Sequence, residues 1–202
     1  MLYPYLLYTI ICDMNFFELV KLRRSCRKYL SRQVEKEKID KCLEAAFQAP
    51  SALNSQPWKF YVATGPTRDK LAEIIKKYPL YIADLFSDFP ELKDEEKQKE
   101  IAEFAENLGN APVIIIMTMT ETPNHYVRKM HLIACGAALE NFWLAATAMG
   151  LGSVCLTSAT FIEEELQEFL NIKGEELVTI LLLGYPETME KPKKRYKKVV
   201  FL

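Results

Sequence analysis

The order of hydrophobic patterns along the chain predicts an α+β or α/β domain in three layers, with helices packed on a sheet. Two apolar runs, VIIIMT at 113–118 and VTILLL at 178–183, have the length and β-branched character of buried strands. Helical-period stripes stand before, between and after them. With 202 residues, half of them hydrophobic, the chain is long enough for one well-cored domain.

The elements follow in order. Residues 1–13, MLYPYLLYTIICD, are apolar but shorter than the ~20 residues of a membrane span, and they lack the basic front of a signal peptide. They are expected to be an extension outside the fold, with 14–202 as a single domain. Asn15 is placed to cap a short helix carrying Phe16, Leu19 and Val20 on one face. Residues 38–48 then put Ile39, Leu43, Ala46 and Phe47 on one stripe, and Pro50 disfavours helix at Ala49. The loop APSALNSQPW leads into WKFYVAT, where Trp58, Phe60 and Val62 alternate with Lys59, Tyr61 and Ala63 as in a strand.

Thr67 is the expected cap of a helix running to about Lys77. The stretch 78–109 is aromatic at first and then charged and helix-favouring. It reads as a lid, and a helical hairpin packed on the core fits the same pattern. Asn110, Ala111 and Pro112 punctuate the chain before the first buried strand. From Met130 to Met149 the sequence is apolar nearly all round, with Ala134, Gly136, Ala137, Ala138, Ala145 and Ala146 permitting close contact. Such a helix must be buried, in the core or at a dimer interface. Gly150 is positioned as a left-handed cap, SVCL as a short strand, and 161–170 as a surface helix with acids in its first turn. After the last strand, 187–202 form a polar tail containing KPKKRYKK and a final VVFL.

Composition narrows the function classes. A net charge of -1, with bases and acids interspersed, provides no global field for nucleic acid. Five widely spaced cysteines, none in a CxxC pair, argue against a disulfide framework or zinc ribbon and suit a reducing cytoplasm. Neither a phosphate-cradling GxxxxGK[ST] loop, nor GxSxG, nor HExxH is present, and His125 and His131 are the only histidines. Gly150 and Gly152 do not make a dinucleotide fingerprint, because Cys155 stands where the third glycine belongs.

Two constellations remain. Arg23, Arg24 and Arg27 surround Ser25, giving guanidinium forks and a hydroxyl suited to a phosphate dianion. On spacing alone, a solvated basic stretch after a helix is the more economical account. The second, Pro50 to Trp58, sets two serines and two amides between prolines; amides there can bond a heterocycle edge, and turn chemistry explains Ser51 and Asn54 equally well.

Taken together, RRSCRKY, then APSALNSQPWKF, then LAATAMGLGS, then a basic KKR tail, resemble the nitroreductase family in type and order, over about Phe16 to Tyr196. The resemblance implies a three-layer α+β fold with a mixed, mainly antiparallel sheet, forming an intertwined homodimer with FMN at each subunit interface. Arg23, Arg24, Ser25 and Arg27 would hold the phosphate and ribityl chain, joined by Lys193 and Arg195 from the tail. Pro50, Ser51, Ala52, Leu53 and Asn54 would line the flavin from the other subunit, and Cys155, Leu156, Thr157 and Ser158 would lie beside the ring. Thr157–Ser158 replace a frequent Glu–Gly pair, which leaves backbone amides as the contacts there. NADH or NADPH would donate hydride, and a small flat acceptor would take it in a ping-pong cycle, with no catalytic side chain required. Tyr81, Phe86 and Phe89 are candidates to stack on that acceptor, although core packing fits each position as well. The alternatives are a reductive dehalogenase or flavin-cleaving enzyme of the same fold, a non-catalytic FMN carrier or redox sensor, and a non-flavin dimeric interaction protein. No membrane or nucleic-acid partner is implied.

Overall fold

The apolar run after Pro112 becomes β2 (Val113–Thr120), whose residues are all buried except the last. Burial on both faces is why the run reads as continuous, not alternating. The computed structural model describes residues 15–188 and 194–202. β2 lies between β1 (Trp58–Ala63) and β4 (Glu175–Gly184), with β3 (Gly152–Leu156) beyond β4. All three pairings are antiparallel. An isolated parallel bridge outside these pairings joins Ser25 to Ser153.

Alternation along the strands divides the interior into two cores. Ile114, Ile116, Ile180 and Leu182 pack with Leu71 and Ile75 of α3 (Gly65–Ile75), Ala105 of α4 (Glu95–Asn107) and Leu166 of α6 (Glu163–Leu170). Val113, Ile115, Leu181 and Leu183 pack with Ile39 and Ala46 of α2 (Lys36–Phe47) and with Ala138 and Phe142 of α5 (His125–Ala148). Each fully buried aliphatic side chain contributes ~1.5–3 kcal/mol. The three predicted layers are therefore present, with the sheet in the middle.

The local signals act largely as expected. Asn15 opens α1 (Phe16–Leu22) with a reciprocal box, its side chain accepting from the Glu18 N–H at 3.1 Å while the Glu18 carboxylate accepts from the Asn15 N–H at 3.2 Å. Gly150 takes φ 72°, and the Leu151 N–H returns to the Ala146 carbonyl at 2.9 Å, the left-handed cap foreseen there.

Other details differ. α3 begins earlier than expected, with Thr64 as its N-cap instead of Thr67, because Pro66 supplies helical φ in the first turn, where its missing N–H costs nothing. α5 begins at His125 instead of Met130, since the Asn124 side chain accepts from the N–H groups of Tyr126 and Val127 and so secures a polar first turn. The segment after β3 is a 3-10 turn, Thr157–Ile162, before α6 proper. In β1, Trp58 is buried but Val62 on the same face is exposed: β1 is an edge strand, and the cover contributed by Phe47 reaches Phe60.

Two helical surfaces among the described residues remain apolar. α5 buries Ala134, Ala138, Phe142 and Ala146, yet leaves Tyr126, Met130 and Ile133 exposed, the last by 75%. α1 buries none of its residues and exposes Phe16, Phe17 and Val20. Among the described residues no helix is long and apolar enough to cross a membrane. The predicted extension at 1–13 and the candidate Lys193 lie outside the described residues.

Candidate functional site

The Arg23–Arg27 segment is fastened to the far edge of the sheet. Ser25 bridges Ser153 at the start of β3, and the Cys26 N–H donates to the Ser153 carbonyl at 3.0 Å. The approach is close enough that a Cβ on Gly152 would sit 2.6 Å from Cys26 Cβ, so the second glycine of GLGS is required by the segment beside it. Further along, the Tyr29 N–H donates to the Gly109 carbonyl, the Leu30 N–H to the Tyr185 carbonyl, and Tyr29 bridges Pro186. The buried Tyr29 hydroxyl donates to the Cys26 carbonyl at 2.7 Å, and burial holds its pKa well above the ordinary value. The chain from Ser25 to Leu30 thus behaves as an irregular edge addition to the sheet.

On that support sit the predicted cations. Arg23 closes α1 as its C-cap, and its guanidinium lies over the Trp143 ring. Arg24 turns one Nη back to the Arg23 carbonyl at 2.6 Å. Among the described residues neither has a carboxylate partner. Arg27 is exposed, and its carbonyl abuts Gly109, where a Cβ would overlap it. The guanidinium groups of Arg23, Arg24 and Arg27 and the hydroxyl of the half-buried Ser25 are donors of the kind that bind an oxyanion. A cleft of about 690 Å³ is lined by Arg27 and Lys28 together with Glu100, Glu103 and Glu187, whose charge opposes such a ligand.

Cys155, Leu156, Thr157 and Ser158 continue from the same strand. Cys155 shares a hydrogen bond with the Thr179 hydroxyl at 2.8 Å, and burial raises its pKa, so the thiol is neutral. Thr157 is exposed and Ser158 half-buried, at the head of the 3-10 turn. Against that turn rests the predicted lid: the Tyr81 ring stacks on Phe161 at 6.0 Å and 20°. Phe86 is half-buried and Phe89 exposed. The ends of the lid, Tyr78 and Leu108, are buried in the core.

The second predicted loop is elsewhere. It enters β1 at Trp58, which pairs with Met119, whereas Ser153 pairs with Leu183 and through it with Val113. Met119 lies six residue steps along the strand from Val113, roughly 20 Å at ~3.3 Å per step, so the loop and the arginine segment lie toward opposite ends of one sheet. The loop is bonded to itself: the Gln56 N–H donates to Ser51 Oγ, Gln56 Nε2 to Asn54 Oδ1, and the Asn54 N–H to the Ser51 carbonyl. Pro50, Ala52 and Asn54 are exposed, and Leu53, at φ 52°, is fully so. Arg195 is exposed in the tail, outside any helix or strand.

Sequence reasoning missed Trp143 and Gly109. Both act through neighbours distant in the chain, and neither carried a local signal of it.

The nitroreductase family pattern matches residues 20–185. A protein of Archaeoglobus fulgidus, provisionally named NADH dehydrogenase/NAD(P)H nitroreductase, is 34% identical over 175 residues, covering 84% of each chain. The iodotyrosine deiodinase of Thermotoga neapolitana is 28% identical over 186 residues, covering 89% of this chain and 91% of its own. Among solved structures, a nitroreductase with bound FMN from Desulfitobacterium hafniense superposes with a TM-score of 0.75 at 24% identity, covering 94% of this chain and 99% of that one.

Proposed function

The chain belongs to the nitroreductase family, and from that premise we propose that it is an FMN-dependent oxidoreductase. It takes reducing equivalents from NADH or NADPH and delivers them to a flat acceptor, a nitroaromatic or quinone, in two alternating half-reactions. The observation that carries the proposal is the docking of Ser25 and Cys26 on Ser153, which gathers the arginines at the edge of the sheet.

The donor set fits the cofactor. Arg23, Arg24, Ser25 and Arg27 offer cationic and hydroxyl donors matched to a terminal phosphate, with Lys193 and Arg195 as further cations from the tail. Bound FMN supplies the hydride chemistry, so the protein's tasks are to bind, orient and keep water away. Cys155 to Ser158 would offer backbone groups to the ring, and the neutral Cys155 thiol takes no nucleophilic part. The lid, resting on Phe161, would cover that side and present Tyr81, Phe86 and Phe89 to the acceptor.

Each site would be completed by a second copy of the chain. The loop at Pro50–Asn54 lies too far along the sheet to reach the arginines of its own protomer, and Leu53 is left uncovered. The exposed apolar faces of α5 and α1 supply the surface such a homodimer would bury. A specialised reductive dehalogenase is the second reading, favoured by the deiodinase relative's coverage of nearly the whole chain.

The visible spectrum of the purified protein tests the class. A yellow protein, bleached anaerobically by NADH or NADPH and re-oxidised by menadione or a nitrofuran, is the expected result. A colourless protein that cannot be reconstituted with FMN would reject the proposal, and flavin that no nicotinamide bleaches would leave a carrier. Turnover of a halogenated phenol in preference to quinones would establish the second reading.

A further inference from the structure

Arg23 is held from a direction that the phosphate assignment does not use. Its guanidinium carbon lies 5.4 Å from the centroid of the Trp143 ring on α5, within the range at which a cation is drawn to an aromatic face, for which indole is the strongest side chain. Trp143 also carries the one buried side-chain polar atom among the described residues that lacks a hydrogen-bond partner, its Nε1. An unpaired buried donor is unfavourable, and phenylalanine would supply a ring without it. What indole adds over phenyl is the stronger face, and that face is where Arg23 lies. An arginine side chain free in solvent would surrender rotamer freedom on meeting an anion. One already seated on a ring has less to lose.

We infer that Trp143 is a positioning residue for the phosphate: it holds the Arg23 guanidinium against α5 so that Arg23 and Ser25 converge on one anion. The segment is then pinned from two sides, at Arg23 by the helix and at Ser25 and Cys26 by β3. This rests on the FMN reading for the identity of the anion, while the pairing of Arg23 with Trp143 belongs to the chain itself.

A double-mutant cycle on FMN affinity, with the full chain, tests it. Trp143→Leu should raise Kd about 5- to 30-fold, Trp143→Phe should fall between it and the native protein, and in an Arg23→Met background Trp143→Leu should change Kd less than about 2-fold. Equal losses in both backgrounds would assign Trp143 to packing and overturn the inference, as would an unchanged Kd in Trp143→Leu. A second readout needs no flavin. In the NMR spectrum of the flavin-free protein, ring current should move the Arg23 side-chain protons upfield, and Trp143→Leu should return them toward ordinary values. Unshifted protons in the native protein overturn the pairing. Shifted protons in a protein that takes up no FMN uphold the pairing and reject the FMN reading instead.

Discussion

The two segments expected to hold the cofactor are built in opposite ways. The arginine segment draws its shape from other parts of the chain, from Ser153, Gly109 and Tyr185, and cannot keep that shape without the sheet. The loop from Pro50 to Gln56 draws its shape from itself, through Ser51, Asn54 and Gln56, and turns Leu53 outward. The first is an anchor whose geometry depends on its own fold being complete. The second is a preformed projection, able to serve a site that its own protomer does not contain.

Four perturbations sharpen or break that contrast. Arg23→Ala with Arg27→Ala should weaken FMN binding by about 3–6 kcal/mol, read by flavin retention, with little change in unfolding of the flavin-free protein. Unchanged retention would remove both from the site. Gly152→Ala places a methyl against Cys26 and should cost about 1–3 kcal/mol in denaturant unfolding as well as flavin, since the anchor and the sheet share that contact. A loss of flavin without a loss of stability would show the two to be independent. Leu53→Ala should leave stability of the isolated chain within about 0.5 kcal/mol, yet weaken dimer or flavin binding by about 1–2 kcal/mol where a second copy covers it. No effect on either would return the loop to plain turn chemistry.

The smallest effect concerns α2, the element joining the two segments. The Tyr185 hydroxyl donates to the Glu35 carboxylate at 2.5 Å and, with Arg32 and Lys38 nearby, brings its pKa from 4.5 down to about 2. A depressed carboxyl adds stability above its unfolded value and loses it as pH falls through about 2. Glu35 is exposed, so the contribution is about 0–1 kcal/mol. The unfolding difference between the native protein and Glu35→Gln should be largest near neutrality, shrink as pH falls below 4.5 and vanish only below about 2, and a constant difference across that range would show that the carboxylate charge is not its source.

Strands and punctuation were the legible parts of the fold. β2 and β4 announce themselves because the stretches buried on both faces, 113–117 and 180–183, are runs of apolar residues with no polar alternation to confuse with helix or loop. Asn15 and Gly150 declare helix ends because capping is local chemistry. The start of α5 was obscured by the polar turn His125–Lys129, and the 3-10 turn after β3 by sharing its residues with the helix it precedes. At the site, the arginines and Ser25 could be picked out by residue type, but spacing alone favoured a solvated stretch. What changes that account is tertiary: Cys26 bonded to Ser153 and Arg23 seated on Trp143, contacts spanning more than half the chain.

The segment 78–109 is fixed near both ends, with Tyr78 at one and Ala105 and Leu108 at the other in the core, and an aromatic stack at Tyr81 between them. A stretch closed at fixed points can double in length for about 0.6 kcal/mol of closure entropy. Insertions in the mostly exposed stretch 87–94 are therefore cheap, while changes to the sheet, to Ala105 or to the arginine edge are not. The molecule is divisible into a packed chassis that resists alteration and a short, mostly exposed stretch that tolerates it, so a change in chain length is most easily absorbed at residues 87–94.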